Sequence, residues 1–306
     1  YRQALRINPA YVEAHNNLGN AMTKRGELGE AIVDQVQRAG DRQMFLELAR
    51  AALDMVEEKH LLIQIEDPVV AGAMAELGWD GALTPGAGDF LMLVDSNVGF
   101  NKVDPKVGRS LAYAVDLSDP RTPRASVRIR YLHSVVEEAP CVHVASYGEG
   151  TYADLQARCY WDYVRVLTPN GSQLIEGSLP PTPGVWLLSG SAEPGLWDVA
   201  EAEGGTTVFG GIFVLPTGAQ AELDLAYTLP ASVVSKEPDG SLDYALRLTK
   251  QPGSEGIAVT VQIIPPESFT ARNPQGWEVL VEGSLLWEGR LTKDVELDLR
   301  FVRDSS

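Results

Sequence analysis

The chain has 306 residues and a formal net charge of −17, with 44 % apolar and 22 % charged residues. So much apolar sequence can bury a core and argues against disorder. A surface this acidic repels phosphate backbones and anionic lipid, so nucleic-acid and inner-leaflet binding are disfavoured. No apolar run approaches the roughly 20 residues that a membrane-spanning helix needs. The chain starts at Tyr1 without a signal-peptide core, and we expect any export signal or anchor to lie upstream.

The first part of the chain, roughly 90 residues, has helical patterning. Helices are predicted over residues 11–24, 28–39 and 42–60. The short apolar run 61–65 is predicted to be a buried strand. Asp67 then caps a helix that has Pro68 at its first position and ends before Gly78.

After Gly81 the pattern changes to short alternating runs separated by Gly and Pro. In the run 294–301, apolar residues fall on one face and charged residues on the other, which is typical of a half-buried antiparallel strand. No segment of helix length separates these runs, so a parallel α/β sheet is disfavoured. The predicted fold class is α+β, with an N-terminal helical segment followed by a mainly antiparallel β-sandwich.

The first 32 residues resemble a tetratricopeptide repeat. Leu18, Gly19, Gly26 and Ala31 stand where that repeat has small or apolar residues that let two helices pack closely. No second copy follows, and a single repeat cannot bury its own apolar face. The resemblance implies a protein-interaction role, and a cytoplasmic location if it dominates.

From about residue 43 onward, the chain resembles the C-terminal half of the bacterial domain of unknown function 4012 family. The segments that carry the resemblance are Glu58-Lys59-His60-Leu61-Leu62, Leu77-Gly78-Trp79-Asp80-Gly81, Val94-Asp95-Ser96-Asn97-Val98-Gly99, Asn101-Lys102, Cys159-Tyr160-Trp161-Asp162-Tyr163 and Leu248-Thr249-Lys250-Gln251-Pro252-Gly253. The resemblance implies a membrane-anchored, extracytoplasmic bacterial protein with an α/β region upstream of this half. It implies no activity.

Three parts are therefore expected. Residues 1–35 form the tetratricopeptide-like repeat, residues 36–103 a helix and strand remnant of the upstream α/β region, and residues 104–306 the β-sandwich. Within the remnant, residues 89–94 are predicted to be a strand whose neighbours lie upstream.

Cys141 and Cys159 are the only cysteines and are predicted to form a disulfide. The loop between them can return its ends to bridging distance. With His143 they supply three zinc ligands, but a fourth is missing, so the disulfide is favoured over a metal site. Two buried free thiols in a cytosolic protein are the remaining alternative.

Asp95, Asn97, Asn101 and Lys102 are the candidate functional polar cluster. All four lie in segments that carry the family resemblance. Asp95, Asn97, Asn101 and Asp104 also supply oxygen ligands of the kind that calcium uses, but the run lacks the closing Glu of an EF-hand. Hydrogen-bonded turns are the favoured interpretation, because Asp and Asn bond their own backbone.

No catalytic residue, metal or cofactor is predicted. The chain has four histidines and no Gly-x-Ser-x-Gly elbow, so a nucleophilic triad is disfavoured. Tryptophans at strand positions are expected in the core, although an exposed pair would favour carbohydrate binding.

Three functions stay open. The first is a non-catalytic structural or binding module of a bacterial cell-envelope protein, with a protein or a cell-surface polymer as partner. The second is the accessory half of an envelope polymer-modifying transferase whose catalytic region lies upstream. The third is an intracellular adaptor built on the repeat.

Overall fold

The computed structural model describes residues 42–144, 146–148 and 150–304. The chain divides after Val56 into two compact units. The tetratricopeptide-like repeat and the predicted helices 11–24 and 28–39 lie outside the described residues. Helix α1, Arg42–Glu57, confirms the helix predicted from residue 42 but ends three residues early. The chain turns at Lys59, which has a φ of 56°.

Helix α2, Pro68–Glu76, begins and ends where the sequence predicts. The Asp67 carboxylate accepts hydrogen bonds from the backbone N–H groups of Val69 and Val70, at 2.9 and 3.1 Å. The strand predicted over residues 61–65 is wrong, because this run is irregular and largely exposed. An apolar run this short does not specify a partner, and no described sheet edge pairs with it.

Apart from four single-turn 3-10 helices, the remaining described elements are one short α-helix and a series of strands. In chain order they are β1 (Asp89–Val94), β2 (Val107–Asp116), β3 (Arg124–His133), α3 (Tyr152–Gln156), β4 (Tyr160–Thr168), β5 (Gln173–Ser178), β6 (Asp198–Ala202), β7 (Thr206–Leu215), β8 (Gln220–Thr228), β9 (Val234–Lys236), β10 (Leu242–Thr249), β11 (Ile257–Ile264), β12 (Phe269–Ala271), β13 (Glu278–Val279), β14 (Leu285–Leu291) and β15 (Val295–Arg303).

These strands form two sheets that share one core. Sheet A has the order β12-β15-β10-β1-β4-β7-β6, with β9 also paired to β10, and sheet B has the order β13-β14-β11-β2-β3-β8-β5. Both sheets are mixed, because β1 pairs with β10 and β2 pairs with β11 in parallel, while the other described pairs are antiparallel. The predicted β-rich, two-sheet fold is confirmed in this mixed form.

The alternation read from the sequence explains which faces are buried. In β3, Val127, Ile129 and Tyr131 are buried, and the intervening Arg128 and Arg130 are exposed. On the exposed face, Arg128 and Arg130 form ion pairs with acidic residues of β8. Inward side chains of both sheets make one continuous apolar cluster.

The expectation that β1 takes its neighbours from an upstream region is wrong. β1 lies in the middle of sheet A, between β10 and β4, both of which follow it in the chain. Leu91 and Leu93 are buried in the core shared with sheet B. The boundary predicted between residues 103 and 104 therefore falls inside the two-sheet unit, between β1 and β2.

A buried carboxyl group lies in this core at the start of β1. Asp89 Oδ2 accepts hydrogen bonds from the hydroxyls of Tyr113 and Tyr244, at 2.7 and 2.6 Å, and Oδ1 accepts from the Phe90 N–H at 2.7 Å. Burial raises the pKa of Asp89 from 3.8 to about 6, although these hydrogen bonds lower it in part. The folded protein therefore holds this proton more tightly than the unfolded chain does.

The Asp89→Asn variant tests whether the folded protein holds the Asp89 proton more tightly than the unfolded chain does. In the wild type, Asp89 contributes stability that is fully present below pH 3.8 and is lost as the pH rises through about 6. This pH-dependent loss of stability is at most about 3 kcal/mol. The variant does not undergo it, because an amide does not titrate. We expect the free energy of unfolding of the variant, relative to wild type, to rise between pH 4 and pH 8.

Urea unfolding followed by circular dichroism across this pH range measures the effect. Asp198→Asn, at an exposed position of edge strand β6, is the matched control. A difference between Asp89→Asn and wild type that is the same at every pH would contradict the account.

Candidate functional site

All four residues of the predicted polar cluster lie on the connection between β1 and β2. This connection crosses from sheet A to sheet B. A second crossing, from β10 to β11, runs beside it, since both strands of each parallel pair point the same way. The structure divides the four residues between two neighbourhoods. Asp95 faces the buried interior, and Asn97, Asn101 and Lys102 build the turn that follows.

Asp95 is held by groups from three elements. Its Oδ2 lies 2.5 Å from the Arg109 Nε, and its Oδ1 accepts a hydrogen bond of 2.6 Å from the Tyr131 hydroxyl. The Gln251 side chain bonds both backbone polar groups of Asp95, each at 2.8 Å. Asp95 thereby ties the two sheet crossings together.

A second buried carboxyl, Asp162 of β4, completes this network. Arg109 Nη2 donates to the Tyr160 hydroxyl at 2.7 Å, and that hydroxyl donates to Asp162 Oδ1 at 3.1 Å. Burial, and then the charge of Asp95, raise the pKa of Asp162 well above its ordinary value. Burial lowers the pKa of the Arg109 guanidinium, whereas the charge of Asp95 raises it. The net effect is a raised pKa, so Arg109 stays charged. The network therefore joins one buried cation to two carboxyl groups, of which Asp162 holds its proton more tightly than an ordinary aspartic acid does.

A cleft of about 490 Å³ lies between the two crossings, beside Asp95 and Arg109. Lys250 and Asp104 of its lining both have protein partners. Lys250 is buried and donates to the backbone carbonyl of Glu58 at 2.7 Å, and Asp104 accepts from the Asn97 amide at 2.7 Å. These contacts make the cleft walls part of the framework of the fold.

The turn after Asp95 is held by two asparagine side chains. Asn97 Oδ1 accepts from the Gly99 N–H at 2.9 Å, and Asn97 Nδ2 donates to Asn101 Oδ1 at 2.7 Å. Asn101 Nδ2 donates to the backbone carbonyl of Cys159 at 3.0 Å. A Cβ at position 99 would lie 2.8 Å from the Trp161 ring, so only glycine fits there. These side-chain oxygens are engaged by protein donors, as the predicted turn requires.

This turn presents an aromatic side chain to solvent. Phe100 has a φ of 48°, the left-handed region that a bulky side chain rarely adopts, and is 42 % exposed. Its ring contacts the rings of Tyr147 and His143 edge-on, with centroids 5.9 and 6.5 Å away. Lys102 Nζ lies 4.9 Å from the centre of the Tyr147 ring. We call Phe100, Lys102, His143 and Tyr147 the aromatic corner.

The predicted disulfide holds the other side of the aromatic corner. Cys141 and Cys159 are bonded, with their Cα atoms 5.4 Å apart, so neither sulfur is a thiolate for zinc. His143 lies just after Cys141 in the chain and is held by two hydrogen bonds. Its N–H donates to the Trp186 carbonyl at 2.9 Å, and its Nε2 to the Val98 carbonyl at 3.1 Å. The disulfide loop and the turn are thereby locked together.

The sequence did not single out Phe100 or Tyr147. Exposed tryptophans were the expected sign of a stacking surface, but Trp161 and Trp197 are buried and the other described tryptophans are half-buried. The signal in the sequence was Asn97-Val98-Gly99-Phe100, because Asn and Gly at this spacing are typical of a turn, and turns lie at the surface.

A comparison with protein families identifies the first part of the chain. Residues 1–26, which lie outside the described residues, match the family described as TPR repeat. No curated protein matches the chain. A crystal structure of a candidate nutrient-binding protein from Legionella pneumophila is similar at 8 % identity and a TM-score of 0.42, covering 71 % of each chain. In the described part of the chain, no helix is long and apolar enough to cross a membrane.

Proposed function

We propose that residues 57–304 form a non-catalytic binding module of a bacterial cell-envelope protein, with the aromatic corner as its contact surface. The observation that carries the proposal is Phe100. A left-handed backbone costs a bulky residue of the order of 1–3 kcal/mol, and such strain clusters at functional sites. Here the strained residue places its ring in solvent, where it contributes little to the core. Asn97 and Asn101 hold it there.

The envelope location rests on the disulfide and on the family resemblance. Disulfides persist in oxidising compartments and are rare in the cytosol. The resemblance to the domain of unknown function 4012 family, which covers the chain from about residue 43, implies the same extracytoplasmic, membrane-anchored setting.

The non-catalytic character rests on how the described titratable groups are used. His133 and His143 each donate from Nε2 to a backbone carbonyl, of Arg158 at 2.9 Å and of Val98 at 3.1 Å. Asp95 and Arg109 neutralise one another. The hydroxyls beside Asp95 and Arg109 belong to Tyr131 and Tyr160. Burial raises the pKa of both tyrosines, so neither hydroxyl is activated as a nucleophile. The accessory-transferase alternative requires chemistry from another region.

The TPR match to residues 1–26 favours a protein-interaction role for the N-terminal part. This is the second candidate function, the adaptor. It concerns residues that the two-sheet unit does not include, so the two roles are tested separately.

The Phe100→Gly variant tests the proposal. Glycine adopts the left-handed backbone freely, so we expect the stability to stay unchanged or to rise by up to about 1 kcal/mol. We expect the same variant to bind purified bacterial cell walls at least ten-fold more weakly than wild type in a pelleting assay. A variant that keeps its stability and loses binding would show that the Phe100 side chain serves ligand contact and not folding.

Val279→Ala, at an exposed residue of edge strand β13, is the control and should bind as wild type does. Absence of wild-type binding, or equal binding by Phe100→Gly, would refute the contact surface. A loss of several kcal/mol in the Phe100→Gly variant would show that Phe100 is structural.

A further inference from the structure

We propose that the aromatic corner binds an acidic sugar polymer, with the Phe100 and Tyr147 rings against the C–H face of a sugar ring and Lys102 against its carboxylate. This inference rests on the proposed function and names its ligand class.

Two exposed aromatic rings provide an apolar surface for a sugar ring. Phe100 and Tyr147 are 42 % and 47 % exposed, and their planes meet at 80°. Two rings at this angle form an inside corner, in which a ligand ring can stack on the face of one ring and present its own edge to the face of the other. Aromatic side chains that combine an apolar body with a polar tip suit such a half-wet site. The Tyr147 hydroxyl is the polar tip here, and it lies 3.4 Å from Lys102 Nζ.

Beside the two rings, the aromatic corner carries a charge. The chain as a whole carries −17, but the charged member of the aromatic corner is a lysine. Among the described residues, Lys102 forms no ion pair with a carboxylate, and the partners of its ammonium group are the ring and hydroxyl of Tyr147. An exposed ammonium group beside two rings is complementary to a ligand that joins an apolar face to an anion. A uronic-acid sugar has both features on one ring.

The small size of the aromatic corner favours a polymer over a protein partner. A stable protein interface buries about 800 Å² on each side, which is roughly 20 to 30 residues. The aromatic corner has four residues. A repeating polymer compensates for a small contact, because neighbouring units keep the effective concentration high. The disulfide and the two asparagines fix the turn in advance, which lowers the ordering cost of binding.

The experiment compares three polymers by titration calorimetry against the whole chain. They are oligogalacturonate, the same oligomer with its carboxyl groups reduced to alcohols, and poly(glycerol phosphate). We expect oligogalacturonate to bind at least ten-fold more tightly than its reduced form, and poly(glycerol phosphate), which has no sugar ring in its backbone, to bind no better than the reduced form.

Two variants assign the contacts. Lys102→Gln should weaken oligogalacturonate binding at least five-fold and leave binding of the reduced oligomer unchanged. Phe100→Gly should weaken binding of both oligomers. Lys236→Gln removes an exposed lysine of β9 and should have no effect.

The outcomes separate this inference from the proposed function. Equal binding of acidic and reduced oligomers would show that the carboxylate is not recognised. It would overturn the proposal of an acidic ligand and leave the proposed contact surface unaffected. Tighter binding of poly(glycerol phosphate) than of oligogalacturonate would show that the site does not need a sugar ring, and would overturn the inference. No binding of any polymer, together with Phe100-dependent binding of a cell-wall protein, overturns the inference in favour of a protein ligand. No binding of polymers or cell walls overturns both proposals.

Discussion

Replacing Arg109 by methionine is expected to lower the free energy of unfolding by about 3–5 kcal/mol, because it leaves a buried carboxylate without its cation. Arg109 is the cation that faces both Asp95 and, through Tyr160, Asp162. Methionine keeps much of the volume of the arginine stem, so the loss reports charge more than packing. Urea unfolding at pH 7 measures it.

Removing the carboxylate as well should reverse part of this loss. We expect Asp95→Asn combined with Arg109→Met to be more stable than Arg109→Met alone, since no buried charge is then left unpaired. Arg300→Met is the matched control. Arg300 pairs with Asp243 at 2.7 Å through two hydrogen bonds on the surface, where an ion pair contributes about 0–1 kcal/mol. Equal effects of Arg109→Met and Arg300→Met would refute the buried network.

The second large effect belongs to the disulfide. Replacing Cys141 and Cys159 together by alanine is expected to lower the free energy of unfolding by about 3 kcal/mol, from the entropy of a loop of this length. Trp161 and Val214 pack on the disulfide, so the loss includes some contact energy. Urea unfolding of the oxidised wild type and of the double variant gives the difference.

Reduction offers an independent check on the same bond. Wild-type protein unfolded in dithiothreitol should match the double variant within about 1 kcal/mol, the spread expected for the missing sulfur atoms. Thiol titration of protein unfolded without reductant should find no free thiol. Two free thiols, or equal stability of oxidised and reduced protein, would remove the bond and the support that it gives to an extracytoplasmic location.

Local patterns predicted the elements of this fold better than their pairing. The alternation in β3 and β15, and the Asp67 cap of α2, are properties of neighbouring residues, and the structure contains all three. The position of β1 is different. Its parallel partner β10 lies far downstream in the chain, for example Asp89 beside Leu246. A parallel pair so distant in sequence leaves no local signal, so β1 was assigned to the wrong neighbours.

The candidate site was likewise predictable in part. Asn97 and Asn101 were predicted to form turns, and the turn they form is the one that holds Phe100. The exposure of Phe100 was not predicted, because an aromatic residue is assigned to the core by default. The buried network around Asp162 was also missed, since it joins groups from β2, β3 and β4 that only the tertiary fold brings together.

The most direct test of the binding surface is a map of amide chemical shifts by NMR while oligogalacturonate is titrated into the labelled protein. We expect the perturbed amides to centre on Gly99, Phe100, Lys102 and His143. We also expect the amides of Gly253 and Gly256, in the wall of the cleft, to stay unchanged. Perturbations confined to the cleft, or no perturbation at saturating oligomer, would contradict the proposed binding surface.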